Sequence, residues 1–136
     1  MKSKCSALLV SVALTALAGL LFAQQAGDYR SVATGNWSEP STWEVFDGTQ
    51  WVVATVAPSG AETITVRGAD AVSIDMSVEV RGYLKVQDTG SIEVTTGSLT
   101  FLDSGTYEHA RNAGSVPQAT WGEGSTALFT GITSSA

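Results

Sequence analysis

The sequence has little cysteine, histidine and positive charge. Its 136 residues include one Cys and one His, and seven basic residues stand against 13 acidic ones. Disulfide frameworks and zinc sites with Cys ligands need several cysteines, so neither is expected here. The sequence also offers no basic stripe that would neutralise a phosphate backbone, which argues against nucleic acid as a partner. The length allows one domain or part of a larger one.

Long apolar runs are absent except at the N-terminus, where the 16 residues from Ala7 to Phe22 carry no charge. Lys2 and Lys4 precede this run, and a small residue follows it. The run is shorter than the roughly 20 residues that a membrane-spanning helix needs. Basic residues, a short apolar core and a small final residue are typical of a secretory signal peptide. We therefore predict that residues 1–23 are a signal-peptide helix and that the protein is secreted or displayed at the cell surface.

Cleavage of this segment would leave 113 of the 136 residues, with five basic residues, 13 acidic residues and a net charge of −8. It would also remove Cys5, the only cysteine. A secreted domain of this size without a disulfide depends on side-chain packing and backbone pairing alone. No cofactor and no metal site are predicted.

Residues 24–61 are predicted to form an N-terminal cap segment. Trp37, Trp43 and Trp51 are concentrated in this segment. Short apolar stretches at 43–46 and 51–53 flank an Asp-Gly pair, a pattern that predicts a β-hairpin. An exposed sheet edge templates aggregation, so a stack of strands needs a cover at its end. We expect the tryptophans of this segment to bury against the first strands that follow.

Residues 62–136 are a series of very short segments in which apolar and polar residues alternate. Each segment puts two apolar residues on one face, and Gly or Asp separates most of the segments; the pairs are Ile64/Val66, Val72/Ile74, Val78/Val80, Leu84/Val86, Ile92/Val94 and Leu99/Phe101. No helical periodicity is present. The pattern predicts an all-β fold.

Internal repetition narrows the all-β prediction to one architecture. The segments at 64–66 and 72–74 align with those at 84–86 and 92–94 at an offset of 20, and Leu84–Val94 aligns with Leu99–His109 at an offset of 15. Repeats of this size predict a β-solenoid, in which successive coils stack and pair edge to edge. A β-sandwich is the alternative, although its strands are longer and more evenly spaced. Nothing comparable to the Trp-rich cap follows Phe129, so we expect the coils to continue beyond Ala136.

Several motifs of the mature chain resemble the opening of large secreted β-helix proteins of the Bacteroidota lineage. The motifs are Gly35-Asn36-Trp37-Ser38-Glu39-Pro40-Ser41-Thr42-Trp43, Pro58-Ser59-Gly60, Thr63-Ile64-Thr65-Val66 and Val72-Ser73-Ile74-Asp75. They are similar to the eight-glycine extracellular domain, whose opening reads W-x-x-x-x-T-W, P-x-x-G, V-x-I and V-x-V/L-D. The resemblance implies a right-handed parallel β-helix on an extracellular or cell-surface protein, and an interaction with an extracellular ligand or glycan. It implies no catalytic residues.

Two stretches, at 88–91 and 103–106, match the D-[ST]-G-[ST] signature of aspartic proteases. Those enzymes need two such loops that face each other across a symmetric cleft, which copies 15 residues apart inside a repeat cannot build. We interpret both as turns in which the Asp side chain caps the turn and the Gly takes a positive φ. The Asp spacing also lacks the density of a calcium loop.

Three residues are candidates for ligand binding. Tyr107 and His109 lie just before a longer segment, 110–119, which we expect to be a loop inserted between coils, and such loops often form a binding face. Trp121 lies between Ala119 and two glycines, and an exposed indole ring would stack on a sugar. An extracellular glycan or a surface protein is the expected partner.

These observations favour a secreted or cell-surface β-helix segment with a structural, adhesive or ligand-presenting role and no catalysis in these residues. The alternatives are the N-terminal part of a β-helix polysaccharide lyase or hydrolase, and a carbohydrate-binding module. A polysaccharide-cleaving site would need paired carboxylates, or carboxylates clustered with Arg or Lys on one exposed face.

Overall fold

A computed structural model of the chain describes residues 23–133, and these residues form a β-solenoid of about three turns. The elements are β1 (Tyr29–Ser31), β2 (Gly35–Asn36), a 3-10 helix (Pro40–Thr42), β3 (Trp43–Phe46), β4 (Trp51–Val53), β5 (Thr63–Val66), β6 (Ala71–Ile74), β7 (Ser77–Val80), β8 (Tyr83–Gln87), β9 (Ser91–Val94), β10 (Ser98–Phe101), β11 (Thr106–Ala110), β12 (Thr120–Trp121) and β13 (Thr126–Phe129). The predicted signal peptide falls on residues 1–23, of which 1–22 lie outside the described residues.

The strands form three sheets that run along the solenoid. The largest has seven strands in the order β13-β11-β8-β5-β1-β3-β4, and two three-stranded sheets have the orders β12-β10-β7 and β2-β6-β9. Every pair between successive coils is parallel, and only the β1-β3 and β3-β4 pairs are antiparallel. This topology confirms the solenoid prediction, and the β-sandwich alternative was wrong.

Most of the core consists of the apolar pairs that the alternation identified. Their side chains point inward from all three sheets and are buried, apart from Val94, which is half-buried. In-register pairing stacks like positions above one another, so that Ile64, Leu84 and Tyr107 form one inward column of the seven-stranded sheet. Each coil therefore buries its apolar residues against the coils above and below it.

The offset of 20 residues is confirmed by the strand register, but the offset of 15 was wrong. Ile64 pairs with Leu84 and Val72 pairs with Ile92, at separations of 20. The strands around Leu84 and Leu99, which the 15-residue offset aligned, belong to different sheets of the same coil. Similar sequences on two faces of one coil have the same alternation, and this likeness was taken for a repeat.

The turn that follows β8 differs from the predicted one. Asp88 itself takes the positive φ, +57°, and its carboxylate accepts a hydrogen bond from the Gly68 amide one coil away at 3.0 Å. Gly105, in the second of the two similar stretches, is required for a different reason. A Cβ at this position would lie 2.2 Å from the Val80 carbonyl oxygen. Close approach of neighbouring coils, and not a positive φ, therefore favours glycine there.

The predicted hairpin covers the N-terminal end of the seven-stranded sheet. β3 and β4 pair antiparallel with Phe46 opposite Trp51, and β3 lies on the outer edge of β1. Trp37 and Trp43 are fully buried, with ring centroids 5.1 Å apart in an edge-to-face arrangement. The solenoid begins earlier than the boundary predicted at residue 61, because β1 and β2 already pair in parallel with β5 and β6.

Candidate functional site

A polar groove runs over the outer face of the seven-stranded sheet and reaches the N-terminal cap. Its volume is about 750 Å³. The lining residues are Ala23, Gln24, Gln25, Asp28, Tyr29, Arg30, Trp51, Thr63, Thr65, Arg67, Tyr83, Lys85, Gln87 and Glu108. Most of them come from β1, β5, β8 and β11, which are neighbours in the sheet.

Strand alternation places these side chains in the groove. Successive side chains of a strand point to opposite faces, so the residues between the buried apolar positions point outward. The register sets Arg30 beside Thr65, Thr65 beside Lys85, and Lys85 beside Glu108. One outward column of the sheet therefore carries two cations and one carboxylate across four strands.

The groove concentrates the few positive charges of this acidic chain. Three of the five basic residues that follow residue 23 line it, namely Arg30, Arg67 and Lys85. Only two of the 13 acidic residues line it, namely Asp28 and Glu108. The lining thus carries three cations against two carboxylates, whereas the chain after residue 23 carries five basic residues against 13 acidic ones.

Arg30 is held in place by two contacts at the cap end of the groove. Its guanidinium forms an ion pair with Glu44 at 2.6 Å, with a second hydrogen bond of 2.8 Å from Nε. It also lies over the Trp51 ring, with its central carbon 4.3 Å from the ring centroid. Cation–π contact and a carboxylate partner together fix the side chain, and Glu44 offsets much of its charge.

Arg67 is held differently and forms no ion pair with a described carboxylate. Its Nε donates a hydrogen bond of 3.0 Å to the Ser31 carbonyl oxygen, and the buried Ser31 hydroxyl accepts one from the Arg67 amide. Within residues 23–133, no carboxylate oxygen lies within 4.0 Å of this guanidinium. The two terminal nitrogens of Arg67 are therefore available to bind an anion.

Tyr83, Lys85 and Glu108 form a polar cluster in the middle of the groove. The Tyr83 hydroxyl donates a hydrogen bond of 2.5 Å to Glu108, Thr130 donates another of 2.6 Å, and Lys85 lies 3.9 Å from the same carboxylate. Burial, followed by the hydrogen bond to Glu108, raises the pKa of Tyr83 to about 12. Burial acts to raise the pKa of Glu108, but the two hydroxyl donors and Lys85 outweigh it and lower this pKa. At neutral pH Tyr83 is therefore a neutral phenol and Glu108 a carboxylate.

The two carboxylates that line the groove are too far apart for the usual glycosidase arrangement. Asp28 immediately precedes β1, and Glu108 lies on β11, three strand spacings away in the sheet. At about 4.8 Å per spacing this separates them by roughly 14 Å. Retaining and inverting glycosidases hold their carboxyl pair about 5 to 9.5 Å apart. Asp28 and Glu108 therefore do not form the carboxyl pair of either class of glycosidase.

The structure corrects the placement of two sequence-predicted site residues, Tyr107 and His109. Both lie on β11, directly before the mostly exposed loop 111–119, but their side chains point into the core with exposures of 0% and 3%. The Tyr107 hydroxyl and His109 Nδ1 are hydrogen-bonded to each other at 2.9 Å. Neither side chain can reach a ligand unless the last coil is displaced.

Trp121, the third predicted residue, lies at the C-terminal end of the solenoid and not in the groove. It pairs in register with Phe101, and the two rings stack 4.4 Å apart at 7°. It occupies an inward position of its sheet and is 39% exposed. The exposure arises because no described strand covers the free face of this ring.

Sequence reasoning missed the groove, although a signal for it was present. Thr65, Lys85 and Glu108 occupy the polar position between two buried residues in three segments related by the repeat. An alignment of those outward positions at the correct offset would have placed Lys85 and Glu108 side by side. Arg30 could not be found in this way, because the hairpin interrupts the repeat after the first coil.

Comparisons with known proteins give no further guidance on this site: no family model matches the chain, and no curated protein or solved structure matches it either. In residues 23–133, no group of three or more His, Cys, Asp or Glu side chains is arranged to hold a metal ion. No helix in the same part of the chain is long and apolar enough to cross a membrane.

Proposed function

We propose that the chain is a secreted or cell-surface β-helix segment whose outer groove binds an extracellular glycan. One observation carries this proposal: a polar groove lies over the largest sheet and combines three aromatic residues, Tyr29, Trp51 and Tyr83, with charged and amide groups. Aromatic faces pack against sugar rings, while amide and charged groups hydrogen-bond to hydroxyl groups. The parallel strands below hold the outward side chains of successive coils in register.

A glycan panel tests this proposal with two tryptophan variants. We expect the purified chain to bind at least one glycan. Trp51→Ala should weaken that binding, and Trp121→Ala should leave it unchanged. Trp51 lines the groove, whereas Trp121 lies at the end of the solenoid. Loss of binding in Trp121→Ala alone would move the site to the solenoid end, and absence of binding to any glycan would refute the proposal.

Secretion is a separate part of the proposal and has its own measurement. The pattern of Lys2, Lys4 and the apolar run that ends at Phe22 supports export and cleavage. We expect N-terminal sequencing of the exported protein to begin at Gln24. An exported protein that begins at Met1 would contradict the proposed cleavage.

The C-terminal end supports the further proposal that another coil, on this chain or on a partner, packs there. Trp121, Leu128, Phe129 and Ile132 leave 39% to 56% of their surface exposed at this end. Exposed apolar residues next to the free edge of β13 are an association hazard unless they are covered. Sedimentation of residues 24–136 measures this: self-association is expected, and a stable monomer with a sharp melting transition would contradict it.

A further inference from the structure

The distribution of charge over the molecule points to one class of glycan. The groove holds most of the basic residues that follow residue 23, while 11 of the 13 acidic residues lie outside it. An acidic protein repels polyanions in general, so a strip of cations on one face steers an anionic ligand to that face alone. A neutral glycan would gain no Coulomb attraction from this arrangement.

From this arrangement we infer that the groove binds a polyanionic polysaccharide, one that carries carboxylate or sulfate groups along its chain. The inference rests on the proposed glycan-binding function of the groove. Arg30 and Lys85 lie two strand spacings apart in one outward column, about 10 Å along the solenoid. Charges repeated along the ligand would match cations repeated along the coils.

The three cations contribute unequally. Glu44 pairs with Arg30 at 2.6 Å, and Glu108 lies 3.9 Å from Lys85. Arg67 has no carboxylate within 4.0 Å among residues 23–133, and its Nε is already anchored to the Ser31 carbonyl. A preorganised guanidinium with two free nitrogens suits bidentate binding of a carboxylate or sulfate. Arg67 is therefore the principal anion-binding residue of the groove.

Two features argue against a nucleic acid as the occupant. The chain as a whole is acidic, and nucleic-acid-binding domains neutralise many phosphates with a broad basic surface. Only three basic residues line the groove, which is fewer than a nucleic-acid site needs to neutralise the phosphates of a bound strand.

The test measures the Kd of the purified chain for four immobilised polymers: polygalacturonate, its fully methyl-esterified neutral form, dextran sulfate and single-stranded poly-dT. We expect at least one anionic polysaccharide to bind at least tenfold more tightly than the neutral ester and than poly-dT. Binding of polygalacturonate alone assigns carboxylate recognition, and binding of dextran sulfate alone assigns sulfate recognition. Raising NaCl from 50 to 500 mM should weaken binding by about 100-fold if three cations displace counterions.

Matched variants locate the binding in the groove. Arg67→Gln should weaken binding by about tenfold, the effect of losing charge-assisted hydrogen bonds. Arg67→Lys should retain part of the affinity because it keeps the charge. Arg81→Gln removes the same charge from an exposed residue that pairs with Glu79 outside the groove, and should leave the Kd within twofold. Lys85→Gln gives a second groove variant should Arg67→Gln lower the melting temperature.

The outcomes separate the two proposals. If a neutral glycan binds in the groove, with loss in Trp51→Ala, and the anionic polymers do not bind, the inference fails and the glycan-binding function stands. If no glycan of either charge binds, both fail. Equal weakening by Arg67→Gln and Arg81→Gln, or tighter binding to poly-dT than to either anionic polysaccharide, would overturn the inference alone.

Discussion

Two tryptophans are fully buried at the N-terminal end of the solenoid, whereas one at the C-terminal end is partly exposed. At the N-terminal end, Trp37 and Trp43 are fully buried, and their indole nitrogens donate hydrogen bonds of 3.0 Å to the Pro58 and Trp37 carbonyl oxygens. At the C-terminal end, Trp121 stacks on Phe101 with one face and is 39% exposed. The position of an inward aromatic residue in the stack therefore decides how far it is buried. Inside the stack it is covered on both sides, and at the open end one face of its ring stays exposed.

The largest test of this comparison replaces one tryptophan at each end. Trp43→Ala should lower the free energy of unfolding by about 3 to 5 kcal/mol, because it leaves a large cavity and an unpaired Trp37 carbonyl. Trp121→Ala should lower it by only about 1 kcal/mol, because the ring has one covered face. Urea denaturation of both variants measures the difference. Equal losses would show that the C-terminal end is packed as tightly as the cap.

Two glycine substitutions compare how readily the backbone at each end shifts to accommodate an added methyl group. A Cβ at Gly60 would lie 2.1 Å from the Glu79 carbonyl oxygen, and this residue also has a φ of +104°. A Cβ at Gly131 would lie 2.2 Å from the Arg111 amide nitrogen. The chain around Gly131 can move away because no described strand covers it, so Gly60→Ala should cost about 2 kcal/mol more than Gly131→Ala. Thermal melts of the two variants check this, and a larger cost at Gly131 would contradict it.

The smallest expected effect is a difference between two tyrosines at high pH. Burial raises the pKa of both Tyr83 and Tyr107 to about 12, from a usual value of 10.0. Since the folded state holds these protons more tightly, their contribution to stability is full below pH 10 and is lost as the pH rises toward 12. Tyr107→Phe should make this alkaline decline less steep.

Phenolate absorbance measures how the two tyrosines titrate. Tyr107 lies in the coil next to the uncovered end, and Tyr83 lies one coil further in. In a rigid stack both should titrate near 12. If the last coil opens readily, Tyr107 should titrate closer to 10 and Tyr83 should not.

Local patterns in the sequence predict the coils well, because alternation is a property of neighbouring residues. The pairs at Ile64/Val66 and Leu84/Val86 point inward as predicted, and the Asp-Gly hairpin forms at the predicted place. A β-solenoid needs only this alternation and a repeat near 20 residues, and both can be read without long-range information.

The lengths of the turns between strands could not be predicted from the sequence. β9 and β10 are joined by three residues where β6 and β7 are joined by two, and β10 and β11 by four where β7 and β8 are joined by two. These insertions move the partner of Leu84 to Tyr107, a separation of 23. His109 was predicted to lie at a binding face, whereas the correct register stacks it on Val86 inside the core.

Because the coils stack in register, the outer face of the seven-stranded sheet grows in equal steps along the solenoid. Each added coil lengthens the outer face by about 4.8 Å and adds one residue to each outward column. The separation of Ile64 from Leu84 shows that one such step requires about 20 residues. The length of the outer face is therefore set by the number of coils, and each further segment of about 20 residues extends it by one strand spacing.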